Sequence, residues 1–388
     1  MTDVRSVIDW LVDGARSAPT PQDVLAEMGA RLVAAGIPLW RVNVFVRTLH
    51  PDLMGRRLRW EPGKAVDINE TPIEVLSSEM FRTSPVLAIS KTGRSLRRRL
   101  LAPDCPADFP VLGELRAQGA TDYLITPLPF IGGETHAISW TTRAPIGFSE
   151  AEIAALEAVA VPLARVAEIW ALRRVATNLL DTYVGRHAGA RILAGQIRRG
   201  DSESIAAAIW LSDLRGFTDL ADRTPGPALL GLLNRYFDCQ VPAILAQGGE
   251  VLKYMGDGLL AIFPIAGDAG AVCRAALAGA LAFRAAVATL NATGGDDPAA
   301  HLRFGLALHV GEVLYGNIGG GNRLDFTAIG PAVNLAARLE KRAHDLNRAI
   351  IASGAFAAAC PRAFVPLGEL TLRGVAAPQL AFGLAEEG

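Results

Sequence analysis

Residues 251–263, VLKYMGDGLLAIF, hold two apolar runs around Gly256-Asp257-Gly258. Each half reads as a β-strand, and Asp-Gly between such runs predicts a tight hairpin. Turn chemistry alone accounts for Asp257. The same hairpin would also hold the carboxylate in a fixed place, so a functional reading stands beside the structural one.

From IAAAIWLSDLRGFTDL (205–220) onward, strands and helices alternate. Strands are predicted over 205–212, 250–255, 259–263 and 302–310, and helices over 226–247, 267–291 and 331–346. A strand near 349–353 and a hairpin over 364–384 complete a β-sheet with helices packed on it. Asp213 ends the apolar run AAAIWL and precedes LRGFT. A carboxylate at a strand end can hold a metal, and the N–H groups of a tight loop can cradle phosphate. Alone, Asp213 reads equally as a cap. Two such carboxylates on adjacent strands, ~4.8 Å apart, can share two metals held roughly 3.5–4 Å apart.

The segments LSDLRGFT (211–218), GGEVLKYMGDGLLAIF (248–263), RFGLALHVGEVLYGNIG (303–319) and FTAIGPAVNLAARLE (326–340) resemble the catalytic domain of class III nucleotidyl (adenylyl) cyclases. The resemblance covers about 203–385. It implies a ferredoxin-like βαββαβ core working as a head-to-tail homodimer with active sites at the interface. It makes Asp213 and Asp257 the metal-binding aspartates, with the Leu214 carbonyl as a further ligand. The amides of Gly216, Phe217 and Thr218 then hold the triphosphate. Hard oxygen donors suit two Mg²⁺ or Mn²⁺ ions per site. One would acidify the ribose 3′-OH and the other neutralise the triphosphate as pyrophosphate leaves.

Asn334 and Arg338 share one helix face at i and i+4. The family pattern makes Asn334 a ribose or backbone anchor and Arg338 the cation that stabilises the transition-state phosphorane. Arg303 and Arg373 match phosphate-contacting positions, Arg373 standing where lysine is usual. Lys253 and Thr327 would read the base: an ammonium donates to adenine N1, and a hydroxyl accepts from the exocyclic amine. Guanine reverses that edge. The Lys/Thr pair resembles the adenylyl cyclase subgroup with Thr in place of the commoner Asp. Pro331 departs from the pattern but suits a first helical turn. The glycine-rich GNIGGGNRLDF (316–326) reads as a mobile loop.

At 388 residues the chain is long enough for two domains and a connector. They are placed at 1–147, 148–202 and 203–388. A net charge of −1 gives no electrostatic case for nucleic acid. The four scattered cysteines show neither zinc spacing nor a disulfide framework. The N-terminus is no secretory signal. Arg274 and Arg284 interrupt the Ala-rich stretch 270–290, which reads as a buried helix of a cytoplasmic protein without a membrane span.

In the N-terminal half, 4–36 reads as a helix, PLWRVNVFVRTL (38–49) and RRLRWEPG (56–63) as strands, and 109–120 as a helix. Two strands follow around Gly132-Gly133. This α+β layout resembles a GAF-like sensor for an unknown small ligand or signal, with His50, Trp60 and nearby arginines as candidate lining. Arg97-Arg98-Arg99 reads as a solvated run. Ser149 and Glu152 form a capping-box pattern. Leu156, Val159, Leu163, Val166, Ile169 and Leu172 then follow the spacing of a coiled-coil seam, or of a helix packed on its own domain. Residues 185–204 read as a joint. The expected activity is conversion of ATP to cyclic AMP and pyrophosphate. A guanylate cyclase and an inactive nucleotide-binding sensor are the alternatives.

Overall fold

The single helix expected over 4–36 is two helices in the structure, a computed structural model that describes residues 3–293, 301–321, 323–375 and 377–385. Helix α1 (Arg5–Val12) stops before a turn, and α2 (Pro21–Ala34) restarts where the Thr20 hydroxyl accepts from the Asp23 N–H. Proline at the first turn of α2 completes that start signal. The chain divides into two units, Met1–Leu179 and Leu180–Gly388.

In the first unit, strands β1 (Arg41–Arg47), β2 (Leu53–Trp60) and β3 (Asp67–Pro72) are followed by α3 (Glu79–Arg82), α4 (Pro85–Thr92) and β4 (Leu96–Arg99). Then come α5 (Pro110–Ala117), β5 (Asp122–Pro129), β6 (Thr135–Thr142) and the start of α6 (Glu150–Val184). The six strands form one antiparallel sheet in the order β3-β2-β1-β6-β5-β4. Val42, Trp60 and Trp140 of this sheet share a core with Val7, Leu11, Met28 and Leu32 of the first two helices.

Of the Arg97–Arg99 run, only Arg99 is exposed as expected, while Arg97 and Arg98 are half-buried. The run lies in β4, and Arg97 pairs with the fully buried Asp122 at 2.7 Å and with Glu150 at 2.7 Å. Arg98 pairs with Asp108. Arg97 ties the strand to the start of α6, and Arg98 ties it to the segment before α5.

The capping box at the start of α6 forms: Ser149 N–H donates to Glu152 Oε2 at 2.7 Å, and Glu152 N–H donates to Ser149 Oγ at 3.3 Å. The expected seam does not stay free. Leu156, Val159, Leu163 and Val166 are buried in the core of their own unit, while Ile169 and Leu172 are exposed. The apolar repeat serves the sheet first, because burial there satisfies the same spacing that a partner helix would.

The second unit contains the end of α6, then α7 (Arg186–Leu193) and β7 (Ser202–Leu214), so the expected joint over 185–204 contains a helix and a strand start. It continues through α8 (Phe217–Arg223), α9 (Gly226–Leu245), β8 (Glu250–Met255), β9 (Gly258–Pro264) and α10 (Ala269–Thr293). After β10 (Phe304–Gly320) and β11 (Arg323–Ile329) come α11 (Pro331–Asp345), β12 (Ile350–Ser353), α12 (Gly354–Ala359), β13 (Phe364–Leu370) and β14 (Gln379–Leu384).

The sheet order is β13-β14-β12-β10-β7-β9-β8, with β11 paired to β10. Its central strands β10-β7-β9-β8, with α9 and α10 as crossovers, have the antiparallel ferredoxin-like βαββαβ arrangement. Strand β10 runs ten residues beyond the expected 302–310, and the glycine-rich 316–326 is its hairpin with β11 rather than a loose loop. Asn322 within it lies outside the described residues.

Helix α10 is, among the described residues, the one helix long and apolar enough to cross a membrane by length and composition. Cys273, Ala276, Leu277, Ala280, Phe283 and Val287 on it are buried in the core with Trp210 of β7. It is thus buried along one stripe rather than all round, as an amphipathic core helix is.

The burial of α6 makes a direct prediction. Leu156→Ala should cost about 2–5 kcal/mol of unfolding free energy in the first unit, as truncations in a filled core do. Ile169→Ala should stay within about 0.5 kcal/mol. Denaturant titration of the two variants measures the contrast, and equal losses would mean that the helix packs through a different face.

Candidate active site

The turn of the β8–β9 hairpin lies one residue earlier than its sequence suggested. Met255 pairs with Gly258, so Gly256 and Asp257 form the two-residue loop. Gly256 takes φ +71, as a glycine-first hairpin turn requires. Gly258 is instead the first residue of β9, buried beside β7. A Cβ on it would lie 2.8 Å from the Ser212 carbonyl oxygen and 3.3 Å from Asp213 Oδ1. The missing side chain is what lets the tip of the hairpin approach the end of β7.

That approach brings Asp213 and Asp257 together. Burial of the Asp213 carboxyl raises its pKa from 3.8 to about 7, and the neighbouring Asp257 adds charge repulsion in the same direction. Glu340 of α11 adds to the repulsion, and Arg215 opposes it. Glu340 is itself buried and its pKa is raised by that burial, although Arg215 Nη1 lies 3.4 Å from it. Neither Arg215 nor Glu340 stood out in the sequence, although both lie inside the recognised segments.

The remaining elements at this sheet edge follow from the register. Gly305 pairs with Asp213, and the Arg215 N–H donates to the Arg303 carbonyl, which places Arg303 beside the carboxylate end. Its side chain is exposed. Gly216 caps α8, whose first-turn amides at Phe217 and Thr218 have no helical acceptors. The Leu214 carbonyl lies at the end of the same strand. Two carboxylates and a backbone carbonyl are hard oxygen donors of the kind that Mg²⁺ or Mn²⁺ takes, while the loop amides can only donate to an anion. Such ions are bound through one or two carboxylates plus substrate phosphates rather than by an all-protein cage. No cluster of three or more His, Cys, Asp or Glu side chains suited to a metal occurs among the described residues.

Asn334 and Arg338 are not gathered with these groups. They line a separate cavity of about 680 Å³ with His309, Glu312, Gly374 and Gln379. Pro331 opens α11 at its first turn, as expected. Arg338 makes no ion pair among the described residues and approaches the Gly374 backbone. Arg373 is exposed next to that glycine. His309, absent from the sequence-derived candidates, is held by Ser353 Oγ at 2.8 Å, and burial lowers its pKa to about 4. It is therefore neutral at pH 7.

The two residues expected to read the base, Lys253 and Thr327, sit elsewhere again. Lys253 Nζ lies 3.5 Å from Asp325 Oδ2. Asp325 and Thr327 are two apart on β11 and so share a face of the strand. Thr327 is buried, and its hydroxyl has no hydrogen-bond partner among the described residues. Asp325 escaped the sequence reading because its relation to Lys253 depends on how β8 and β11 are placed.

The Asp213 environment fixes a sign for pH dependence. A carboxyl whose folded pKa is raised contributes stability that is full below pH 4 and is lost as the pH rises through 7. Asp213→Asn stays neutral throughout. Its Tm advantage over the wild type, measured without divalent ions, should therefore grow between pH 5 and pH 8. Adding Mg²⁺ or Mn²⁺ should narrow the gap at pH 8 by favouring the charged wild-type pair. A gap that does not change with pH would mean that the two carboxylates are not in contact.

Residues 201–376 match the family model described as the Adenylate and Guanylate cyclase catalytic domain. Adenylate cyclase 1 of Rhizobium meliloti (strain 1021) is 32% identical over 169 residues, 42% of this chain and 25% of the relative. The adenylate cyclase of Anabaena cylindrica is 30% identical over 174 residues, 43% of this chain and 34% of the relative. The chain thus matches only a quarter to a third of the length of these curated relatives. A solved bacterial light-regulated adenylyl cyclase, at TM-score 0.50 and 21% identity, covers 68% of this chain and 86% of its own. That likeness concerns the fold alone. Over residues 201–376 the chain is thus similar to adenylate and guanylate cyclase catalytic domains.

Proposed function

We propose that this chain is an adenylate cyclase, converting ATP to 3′,5′-cyclic AMP and pyrophosphate at sites shared between two copies. The observation that carries the reading is the facing pair Asp213 and Asp257 at the tip of the β8–β9 hairpin. In the reaction a bond forms between the ribose 3′-oxygen and the α-phosphorus, while the bond from that phosphorus to pyrophosphate breaks. Asp213, Asp257 and the Leu214 carbonyl would hold two Mg²⁺ or Mn²⁺ ions, which when bound supply acidification of the 3′-OH and neutralisation of phosphate charge. The amides of Gly216, Phe217 and Thr218, with Arg303, hold the triphosphate. Asn334 anchors the ribose, and Arg338 stabilises the charge that develops on the α-phosphoryl oxygens. Arg373 adds a phosphate contact beside Arg338.

The unpaired, buried Thr327 hydroxyl supports adenine as the base, because a buried polar atom needs a partner and the adenine amine is one. Lys253 supplies the donor for N1. Asp325 favours a second reading, guanylate cyclase, since a carboxylate accepts from guanine N1–H; its pairing with Lys253 weighs against that. A sensor role for the first unit, with a GAF-like identity, rests on its antiparallel sheet and belongs to the same proposal.

Two measurements test this. Asp257→Asn keeps the hairpin, whose left-handed residue is Gly256, and should lower ATP turnover by about a hundredfold or more, since loss of even an outer-shell partner of a metal ligand costs about 10–100-fold. Folded, fully active Asp257→Asn would end the metal-site reading. The placement of Arg338 and Asn334 away from the carboxylates motivates the second test. Asp213→Ala and Arg338→Ala should each be inactive, and mixing them with free subunit exchange should restore about a quarter of wild-type cyclic AMP production. No recovery after confirmed exchange would show that each chain builds its own site.

A further inference from the structure

The first unit contains a cavity of about 360 Å³ bounded by α2, the β1–β2 end of the sheet and α6. Its inner wall is aliphatic, with Leu25 from α2, Val44, Val46 and Leu58 from the strands, and Leu163 and Val166 from α6. A cavity this size, apolar inside with a few polar groups at one end, suits a small organic ligand. Neither His50 nor Trp60 lines it: Trp60 is core, and the His50 ring accepts from the Asp52 N–H.

The polar end is one-signed. Arg47, Arg56, Arg173 and Arg174 line the cavity, and no aspartate or glutamate does. Glu70, just outside the lining, pairs with Arg56 and lies 3.9 Å from Arg174, so those two guanidinium groups share one carboxylate. Arg47 and Arg173 make no ion pair among the described residues. Arg173 instead approaches the face of Trp170, another lining residue, at 5.7 Å. Two uncompensated guanidinium groups over an aliphatic pocket form a receptor for an anion with an apolar body, since the fork geometry binds a carboxylate through two hydrogen bonds.

We propose that the first unit binds a small organic monoanion of the medium-chain carboxylate class here, its apolar body among Val44, Val46, Leu58 and Leu163 and its carboxylate between Arg47 and Arg173. Such a ligand touches α6 directly, through Leu163, Val166 and Trp170. This proposal does not depend on the catalytic reading, and its test reads binding rather than turnover.

The experiment is titration calorimetry of the full chain with sodium decanoate below its micelle concentration. Acetate and decyltrimethylammonium serve as probes of the apolar and charged halves. Decanoate should bind saturably, one equivalent per chain; acetate should give no saturable heat; the cation should bind at least about tenfold more weakly, a difference of about 1.4 kcal/mol. Arg47→Gln/Arg173→Gln should weaken decanoate by at least about tenfold with an unchanged Tm, because both side chains are exposed and unpaired. Val46→Trp should abolish binding by filling the cavity. If Val46→Trp fails to fold, the arginine variant still decides. Absence of saturable decanoate binding, equal affinity for the cation, or undiminished binding by the arginine variant would each overturn the proposal.

Discussion

Two carboxylates that repel one another are held face to face because a glycine removes the atom that would keep them apart. Gly258 sits where β9 meets the end of β7, and any side chain there would strike the Ser212 carbonyl or the Asp213 carboxylate. The strand order β10-β7-β9-β8 places the hairpin tip beside that strand end. Burial of the Asp213 carboxyl, with the Asp257 repulsion added, raises its pKa toward neutrality and creates a demand for positive charge. A cation bound between the two carboxylates would relieve that repulsion.

The rest of the second unit arranges itself around that edge. Gly305 pairs with Asp213 in β10 and leaves room for the Arg215–Glu340 pair; a Cβ there would collide with both. That buried pair fixes α11 against the sheet and so sets the direction in which Asn334 and Arg338 project, into a cavity of their own rather than toward the carboxylates. The division of one candidate chemistry between two places on one chain is the feature that a two-fold partner would resolve.

In the first unit the same economy of apolar residues appears on α6. The inward leucines and valines of the helix close the core against the sheet, and the next residues along it form one wall of the arginine-rimmed cavity. At the far end of the sheet, the buried Arg97–Asp122 pair, with Glu150, ties β4 and β5 to the start of α6. Such a pair resists loss of one partner, because an unpaired buried charge is costly.

Much of this was legible in the sequence, and the reason is local. Alternating apolar runs, the Ser149 cap and the Pro331 start depend on residues within a few positions, and those elements stand where they were expected. The segments around Asp213, Asp257, Asn334 and Arg338 carried the catalytic resemblance unaided. Local signals also misled where a second explanation had the same period. Asp257-Gly258 looked like the turn, but Gly256 supplies the left-handed residue and Gly258 the close approach. The heptad spacing of α6 looked like a seam, but the sheet takes its first four positions. The sequence by itself marked the candidates for metal, phosphate and base, because such candidacy follows from functional groups and short spacings. Only the tertiary structure decided that Asp325 meets Lys253, that Thr327 is buried without a partner, and that four arginines gather over one apolar cavity, because these depend on strand order and helix docking between residues far apart in the chain.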